Sequence, residues 1–428
     1  MVLQFRDVLK ETERFDADEL RAYQEKLLEP LLLHARKHAP FYRTRLDPLF
    51  DGDEVDWARW REIPLLTRAE AQAREKALHA KVTPPHLGWV GADETSGSTG
   101  RPLRYLRNEL MDIAGLAMMD RLYRWWGFDG DKTLAYFVSP RREIADPTGI
   151  ENFGWRSGHM KGRHLMRDTS GDVDPHLDWL ADIRPAYLVS YASMVPPFAE
   201  RARERGLKLR FDRVITRGGI VTDEVRALCS EVFGGPLVDQ YGADEIGQIA
   251  CECPHCGAYH INSEAVLVEI LDEEGAPVAP GKTGRVVLTN LYNYAMPLIR
   301  YEIGDFATVS PTASNCKIRL PSLTRIIGRY RNTFTLADGR ILFPNVPMSG
   351  FRKFLPHSQI QIIQTDFDRL EVRYVADGSG AAPDEVGLQA WLRDGLDPCF
   401  TVQAKKVKEI PPASDGKYED FLSLVPRR

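Results

Sequence analysis

Thr133-Leu134-Ala135-Tyr136-Phe137-Val138 is a short, mostly apolar run that reads as a buried strand. Tyr187-Leu188-Val189-Ser190 and Arg213-Val214-Ile215-Thr216 have the same texture. Helical stretches cover residues 108–126, 175–183 and 194–204, so strands and helices alternate. That alternation predicts βαβ units and a parallel sheet covered on both faces.

Upstream, Asp16-Ala17-Asp18-Glu19 is a helix start with a reciprocal carboxylate three residues on. Leu20, Leu27, Leu28, Leu31, Leu32 and Ala35 follow at helical spacing, and Pro30 is expected to kink or divide the helix. After residue 260 the texture changes. The runs 266–271 and 285–289 flank a Gly/Pro turn, which predicts hairpins rather than crossovers. Strands near 360–363 and 370–374 and a helix over 384–394 predict a small α+β domain joined near Gly328-Arg329. The expected fold class is α/β: a large N-terminal domain, residues 1–327, with mixed sheets flanked by helices, and a small α+β domain, residues 328–428.

A chain of 428 residues with 43% hydrophobic and 27% charged side chains can bury a large core and enclose a cleft. Its net charge of -5 supplies no global basic field for nucleic acid. The start, Met1-Val2-Leu3-Gln4-Phe5-Arg6-Asp7, reaches charge too early for a signal-peptide core, and no apolar run approaches a bilayer span. The expectation is a soluble cytoplasmic protein that meets neither membrane nor nucleic acid. Six cysteines are too few for a disulfide framework, and three fall between 251 and 256, which points to metal.

Three strings carry chemistry. Thr95-Ser96-Gly97-Ser98-Thr99-Gly100-Arg101-Pro102 interleaves hydroxyls with glycines whose backbone can approach a triphosphate closely, and it lacks the Gly-Lys-Ser/Thr ending of a Walker loop. A flexible surface turn is the competing reading of that string. In Asp239-Gln240-Tyr241-Gly242-Ala243-Asp244-Glu245-Ile246-Gly247, an aromatic beside a glycine can stack on a purine and Glu245 can reach magnesium. Pro297-Leu298-Ile299-Arg300-Tyr301-Glu302-Ile303-Gly304-Asp305 sets a carboxylate after a strand and a glycine, suited to a ribose diol.

In this order the strings resemble the adenylate-forming superfamily, and within it the phenylacetate-CoA ligase branch. Ser96 to Pro102 matches its Ser-Gly-Thr-Thr-Gly-x-Pro loop, Tyr241 to Glu245 its Tyr-Gly-x-Thr/Ser-Glu motif, and Pro297 to Asp305 its Pro-x-Ile-Arg-Tyr-x-x-x-Asp motif. Gly328-Arg329 resembles the interdomain hinge and Ser414-Asp415-Gly416-Lys417 the C-terminal Ser-x-Gly-Lys, so the resemblance covers nearly the whole chain.

The resemblance implies an N-terminal adenylation domain and a mobile C-terminal lid. It places Ser96, Gly97, Ser98, Thr99 and Gly100 around the ATP phosphates and Gln240, Tyr241, Gly242, Gly218, Gly219 and Ile220 around adenine. Asp305 and Arg329 fall at the ribose, Glu245 at magnesium, and Lys417, with Glu245 and Thr99, in the catalytic set. The implied reaction turns a small, aromatic carboxylic acid into an acyl adenylate with release of pyrophosphate, then passes the acyl group to coenzyme A. Paired aspartates and an Arg-Gly loop usually follow the hinge. Here Tyr330-Arg331-Asn332 and Ala337-Asp338-Gly339-Arg340 stand instead, which keeps an amine, a carrier-protein thiol or another small nucleophile open as acceptor.

Cys251, Cys253, Cys256 and His260 have the spacing of a structural zinc site, with His255 as a competing imidazole and buried free thiols as the alternative. Some members of the branch carry a similar cysteine-rich insertion. By resemblance, Phe137 and Tyr191 line the acid pocket; His164, Arg184 and Arg217 have the chemistry to salt-bridge a substrate group but read as surface or structural residues and are assigned no role. A non-catalytic interaction protein on a ligase scaffold and a dimeric assembly both stay open.

Overall fold

A capping box starts the second helix as its sequence requires. The Asp16 carboxylate accepts from the N–H groups of Asp18 and Glu19, and the Glu19 carboxylate accepts from the Asp16 N–H. This computed structural model describes residues 2–95, 103–138, 149–169, 172–311, 316–329, 334–338, 340–342, 346, 348–411 and 421–425. Two compact units divide at Met1–Ile326 and Ile327–Arg428.

The first unit opens with α1 (Val2–Thr12) and α2 (Ala17–His38). Pro30 does not divide α2. It sits on the exposed side, as does Lys26, whose carbonyl loses its N–H partner, while Leu28, Leu31, Leu32 and Ala35 are buried. Next come β1 (Leu66–Thr67), α3 (Arg68–Ala73), an antiparallel hairpin of β2 (Val90–Glu94) and β3 (Arg104–Asn108), and α4 (Glu109–Trp125). The alternating core contains β4 (Leu134–Val138), β5 (Ile150–Phe153), β6 (Arg163–Asp168), α5 (Val173–Ile183), β7 (Tyr187–Tyr191), α6 (Val195–Glu204), β8 (Arg213–Arg217), α7 (Asp223–Phe233) and β9 (Leu237–Ala243). Then β10 (Gly247–Glu252), β11 (Tyr259–Ile261), β12 (Val266–Leu271), β13 (Thr283–Asn290), β14 (Tyr301–Val309) and β15 (Ser322–Arg329) follow.

Thirteen strands form one sheet in the order β12-β13-β14-β15-β11-β10-β9-β8-β7-β4-β6-β5, with β1 beside β14. Neighbours from β6 to β9 are parallel, and β9 is the seam, since β10 pairs with it antiparallel. Alternation along the parallel strands sorts two cores. Ala135, Phe137, Leu188, Val214 and Leu237 face α5, α6 and α7, whereas Leu134, Tyr187, Val189, Ile215 and Val238 face α4.

The second unit has its own sheet, ordered β18-β17-β16-β19, from β16 (His357–Asp366), β17 (Arg369–Ala376), β18 (Thr401–Lys406) and β19 (Phe421–Ser423). Helix α8 (Glu385–Gly395) begins at Asp384, whose carboxylate accepts from the Gly387 N–H, and buries Leu388 and Leu392 against Ile362, Leu370 and Val372.

Candidate active site and cysteine–histidine cluster

Strand β9 ends in a bulged turn into β10, with the register shifting between Tyr241 and Gly242. Gly242 has no room for a side chain, since a Cβ there would lie 2.9 Å from the Gly247 carbonyl oxygen. The turn delivers Glu245 to a buried position, where Arg68 Nη1 donates to its Oε1 at 2.8 Å and the Tyr301 hydroxyl donates to the same atom at 3.1 Å. Burial, then the neighbouring carboxylate, push the Tyr301 phenol well above its ordinary pKa, so it stays a donor. Arg68 also donates through Nη2 to Thr95 Oγ1 at 2.8 Å. Thr95 and Leu103 are tied to each other twice, Thr95 N–H to the Leu103 carbonyl at 2.9 Å and Leu103 N–H to Thr95 Oγ1 at 2.9 Å. Thr95 and Leu103, the described residues on either side of 96–102, are thus tied to each other, and Thr95 to the arginine that grips Glu245.

From the same turn the Tyr241 hydroxyl donates to Asp305 Oδ2 at 2.6 Å. Asp305 and Tyr301 both come from β14, so residues some sixty positions apart in the chain meet at one edge of the sheet. Beneath them Asp239 is buried. Thr216 and Tyr259 each donate to its carboxylate at 2.8 Å, its N–H donates to Glu252 Oε2, and Arg226 pairs with Glu252. Burial outweighs those donors and raises the Asp239 pKa to about 6. At the end of β8, Gly218 adopts φ +65 and Gly219 packs where a Cβ would come within 3.0 Å of Ala192 Cβ, so the backbone leaves the sheet here with no side chain in the way.

On the far side of β10 a second group assembles. Ligand atoms of Cys253, Cys256, His260 and Cys316 all lie within 4.8 Å of one another. The Cys253 and Cys316 sulfurs are 3.7 Å apart, and His260 Nε2 is 3.6 Å from Cys256 and 3.4 Å from Cys316. A tight turn closed by the Cys253 N–H to the Ala258 carbonyl sets the first two ligands, and β11 sets His260. His260 Nδ1 bonds the Leu320 carbonyl at 2.9 Å, which leaves Nε2 as the ligating nitrogen. Burial raises the Cys253 thiol to about 12 and lowers His260, so without metal the set rests neutral. Three sulfurs and one imidazole at these spacings suit tetrahedral zinc closed by protein ligands.

Cys251 is not among the four. Although it stands opposite His260 in the β10–β11 ladder, its sulfur turns into the apolar layer under α4, where Asn262 Nδ2 donates to it at 3.6 Å. Cys316 takes its place, 56 positions beyond His260 and brought back by the chain entering β15. His255 contributes only a backbone N–H to the Cys253 sulfur.

No protein-family model matches the chain. It is 25% identical over 372 residues to the phenylacetate-coenzyme A ligase of Thermus thermophilus, covering 82% of this chain and 80% of that one. It is 24% identical over 373 residues to the Escherichia coli protein of the same name, at 82% and 80% coverage. The chain belongs to the adenylate-forming superfamily. Among solved structures of adenylate-forming proteins, 2-hydroxyisobutyryl-CoA ligase in its postadenylation state superposes with a TM-score of 0.76 at 16% identity, covering 98% of this chain and 92% of that one. Anthranilate-CoA ligase bound to anthranoyl-AMP gives 0.55 at 13% identity, over 76% of this chain and 65% of that one. This adenylate-forming chain is an enzyme of the AMP-forming acid–CoA ligase group, distantly related to the phenylacetate-CoA ligases.

Of the residues singled out in the sequence, Ser96, Gly97, Ser98, Thr99, Gly100 and Lys417 lie outside the described residues. Arg329 is described only as the end of β15. Gln240 is buried, and its Oε1 makes no hydrogen bond among the described residues, which suits an acceptor waiting for a ligand donor. Ile220 is exposed beyond Gly219. Phe137 corrects an expectation. Its ring is wholly buried against His176, Trp179 and Phe198 on the α5–α6 face, because alternation turns it away from Tyr136 and Tyr191, and only its carbonyl reaches the edge of the sheet. Arg68 escaped the sequence reading, since a lone arginine opening a short helix carries no spacing signal. Among the described residues no helix is long and apolar enough to cross a membrane.

Proposed function

We propose that the protein activates a small carboxylic acid with ATP as an acyl adenylate and transfers the acyl group to the thiol of coenzyme A. The supporting observation is the convergence of three separated motifs: Glu245 held by Arg68 and Tyr301, Arg68 bonded to Thr95 at the start of the hydroxyl-glycine string, and Tyr241 bonded to Asp305.

A carboxylate is ionised at neutral pH, so the first step needs charge neutralisation and alignment rather than a base. One carboxylate oxygen bonds to the α-phosphorus while the bond from that phosphorus to the bridging oxygen breaks, and pyrophosphate leaves. In this reading Ser96, Ser98 and Thr99 hold the phosphates, Asp305 accepts from the ribose hydroxyls, Tyr241 covers adenine, and Lys417 offsets the charge gathering between acid and phosphate. Glu245 has a second carboxylate oxygen, Oε2, with no hydrogen bond among the described residues, and this oxygen would hold magnesium. A bound magnesium ion neutralises the departing phosphates. In the second step the thiol sulfur bonds to the acyl carbon, its proton passes to solvent, and AMP leaves. Cys253, Cys256, His260 and Cys316 would hold a structural zinc away from this chemistry.

The test is pyrophosphate release over a panel of acids, with and without coenzyme A. Acid-dependent release is expected, with a loss on the order of 100-fold in Lys417→Ala. No release above that variant with any acid and any thiol or amine acceptor would overturn the reading. The altered segment Tyr330-Arg331-Asn332 favours checking amines and carrier-protein thiols in the same panel.

A further inference from the structure

The last residue of β8 is an arginine held between two phenol rings. The Arg217 guanidinium lies 4.8 Å from the centroid of Tyr136 and 4.5 Å from that of Tyr191, and its Nη2 donates to the Phe137 carbonyl at 2.9 Å and the Tyr191 hydroxyl at 3.3 Å. Parallel register brings these groups together: Arg217 pairs with Tyr191, Tyr136 pairs with Val189, and the alternating pattern puts all three side chains on the α4 face. The position is the carboxyl edge of parallel strands, one residue before Gly218, where ligands of open α/β sheets bind.

Among the described residues the charge there is unbalanced. Arg45, Arg68, Arg226, Arg285 and Arg300 are half-buried or buried and each meets a glutamate within ion-pair distance. Arg217 is also half-buried, yet it meets no carboxylate among the described residues, and its Nη1 has no hydrogen-bond partner there. Stacking and two neutral acceptors fix the orientation of the fork without neutralising it. The surroundings are polar as well. His164 stands edge-on to Tyr136 with a buried Nε2 that has no hydrogen-bond partner among the described residues, and Gln240 follows Asp239, the register partner of Thr216, and so falls on the face of Arg217. A pocket for an unsubstituted aryl or alkyl group has no use for an oriented cation, since a partly desolvated charge without a counter-ion is costly.

We propose that Arg217 selects the acid: the substrate carries a second carboxylate, distal to the one that is activated, which lies against the guanidinium fork. This rests on the ligase reading above and narrows its substrate class to dicarboxylic acids. Arg217 is then a specificity-determining residue that touches substrate but takes no part in the transfer to phosphorus.

The experiment compares matched pairs of acids, each a monocarboxylic acid and the same skeleton with a second carboxylate, in acid-dependent pyrophosphate release by the full chain. Wild type is expected to favour the dicarboxylic member by about 100-fold in kcat/KM, carried mainly by KM. Arg217→Met should abolish or invert that ratio while keeping activity on the monocarboxylic member, and Arg217→Lys should restore part of it. Thermal-shift titration with each acid alone gives a readout independent of turnover, and only the dicarboxylic member should protect wild type more than Arg217→Met. A purely structural arginine would lower both members alike and leave the ratio unchanged, which overturns the proposal. Turnover confined to monocarboxylic acids also overturns it while leaving the ligase reading intact. Silence with every acid overturns the ligase reading and this one with it.

Discussion

The cleft edge and the cysteine–histidine cluster hang on the same pair of strands, β9 and β10, and they solve opposite problems. At the cleft the two motif carboxylates already have protein partners: Arg68 and Tyr301 hold Glu245, and Tyr241 holds Asp305. Such a site keeps its shape before any ligand arrives, and a ligand only exchanges one set of partners for another. In the cluster, four soft donors crowd together with little to bond except each other, and burial disfavours the thiolates a metal would stabilise. The first region is preorganised by the fold; the second asks an ion to complete it.

The sharpest way to break this contrast is to remove ligands from the cluster. Cys316→Ser is expected to reduce zinc from one per chain to near none and to loosen the segment around the 253–258 turn, whereas Cys251→Ser should retain the metal. Elemental analysis of purified variants checks both, and equal zinc in the two would put the ligand set wrong. Structural zinc sites are worth ~10 kcal/mol or more in isolated peptides, so this is the largest effect expected, although a prefolded unit realises less of it globally.

Next in size is the Arg68–Glu245 pair. Arg68→Met leaves a buried carboxylate without its cation and should cost about 3–5 kcal/mol in denaturant unfolding of the first unit. The double variant with Glu245→Gln should recover much of that loss. A single-variant cost below 1 kcal/mol would mean the cleft is not held by its own charges.

The smallest effect concerns Asp239. Its carboxyl titrates near 6 in the fold against 3.8 as the ordinary value, so the folded state prefers the protonated form. Stability relative to Asp239→Asn should therefore fall as pH rises from about 4 to about 6, by on the order of 3 kcal/mol, and then stay level. Unfolding curves of both proteins across that window provide the check, and a difference that is flat or grows with pH contradicts the assignment.

Periodicity made much of the fold legible. The strand at 266–271 matches β12 residue for residue, the parallel strands fall where apolar runs stand, and Asp16 caps α2 as its carboxylate pattern requires. Pro30 does not divide α2, and it stands on the exposed side of that helix. Phe137 misled: an apolar run buried on both faces does not reveal which of its side chains face the cleft. Cys251 passed for a ligand because spacing along the chain was the available guide, while Cys316 arrives through sheet topology that no local pattern encodes. Asp305, Tyr241 and Glu245 were legible as motifs; the Tyr241–Asp305 contact, and the bonds by which Arg68 joins Glu245 to Thr95, belong to three dimensions.

Thr95 and Leu103 have a consequence for how a nucleotide could be met. Their reciprocal bonds join the chain on either side of residues 96–102, so the two anchors are fixed to each other before any ligand is present. Closing a loop of this size from a free chain carries an entropic cost that grows with the logarithm of its length. Here the Thr95–Leu103 bonds have already met it. Length thereby becomes a variable separate from anchorage: adding or deleting a glycine between Ser96 and Gly100 would change the number of residues between the anchors while Thr95, Leu103 and Arg68 stay in place.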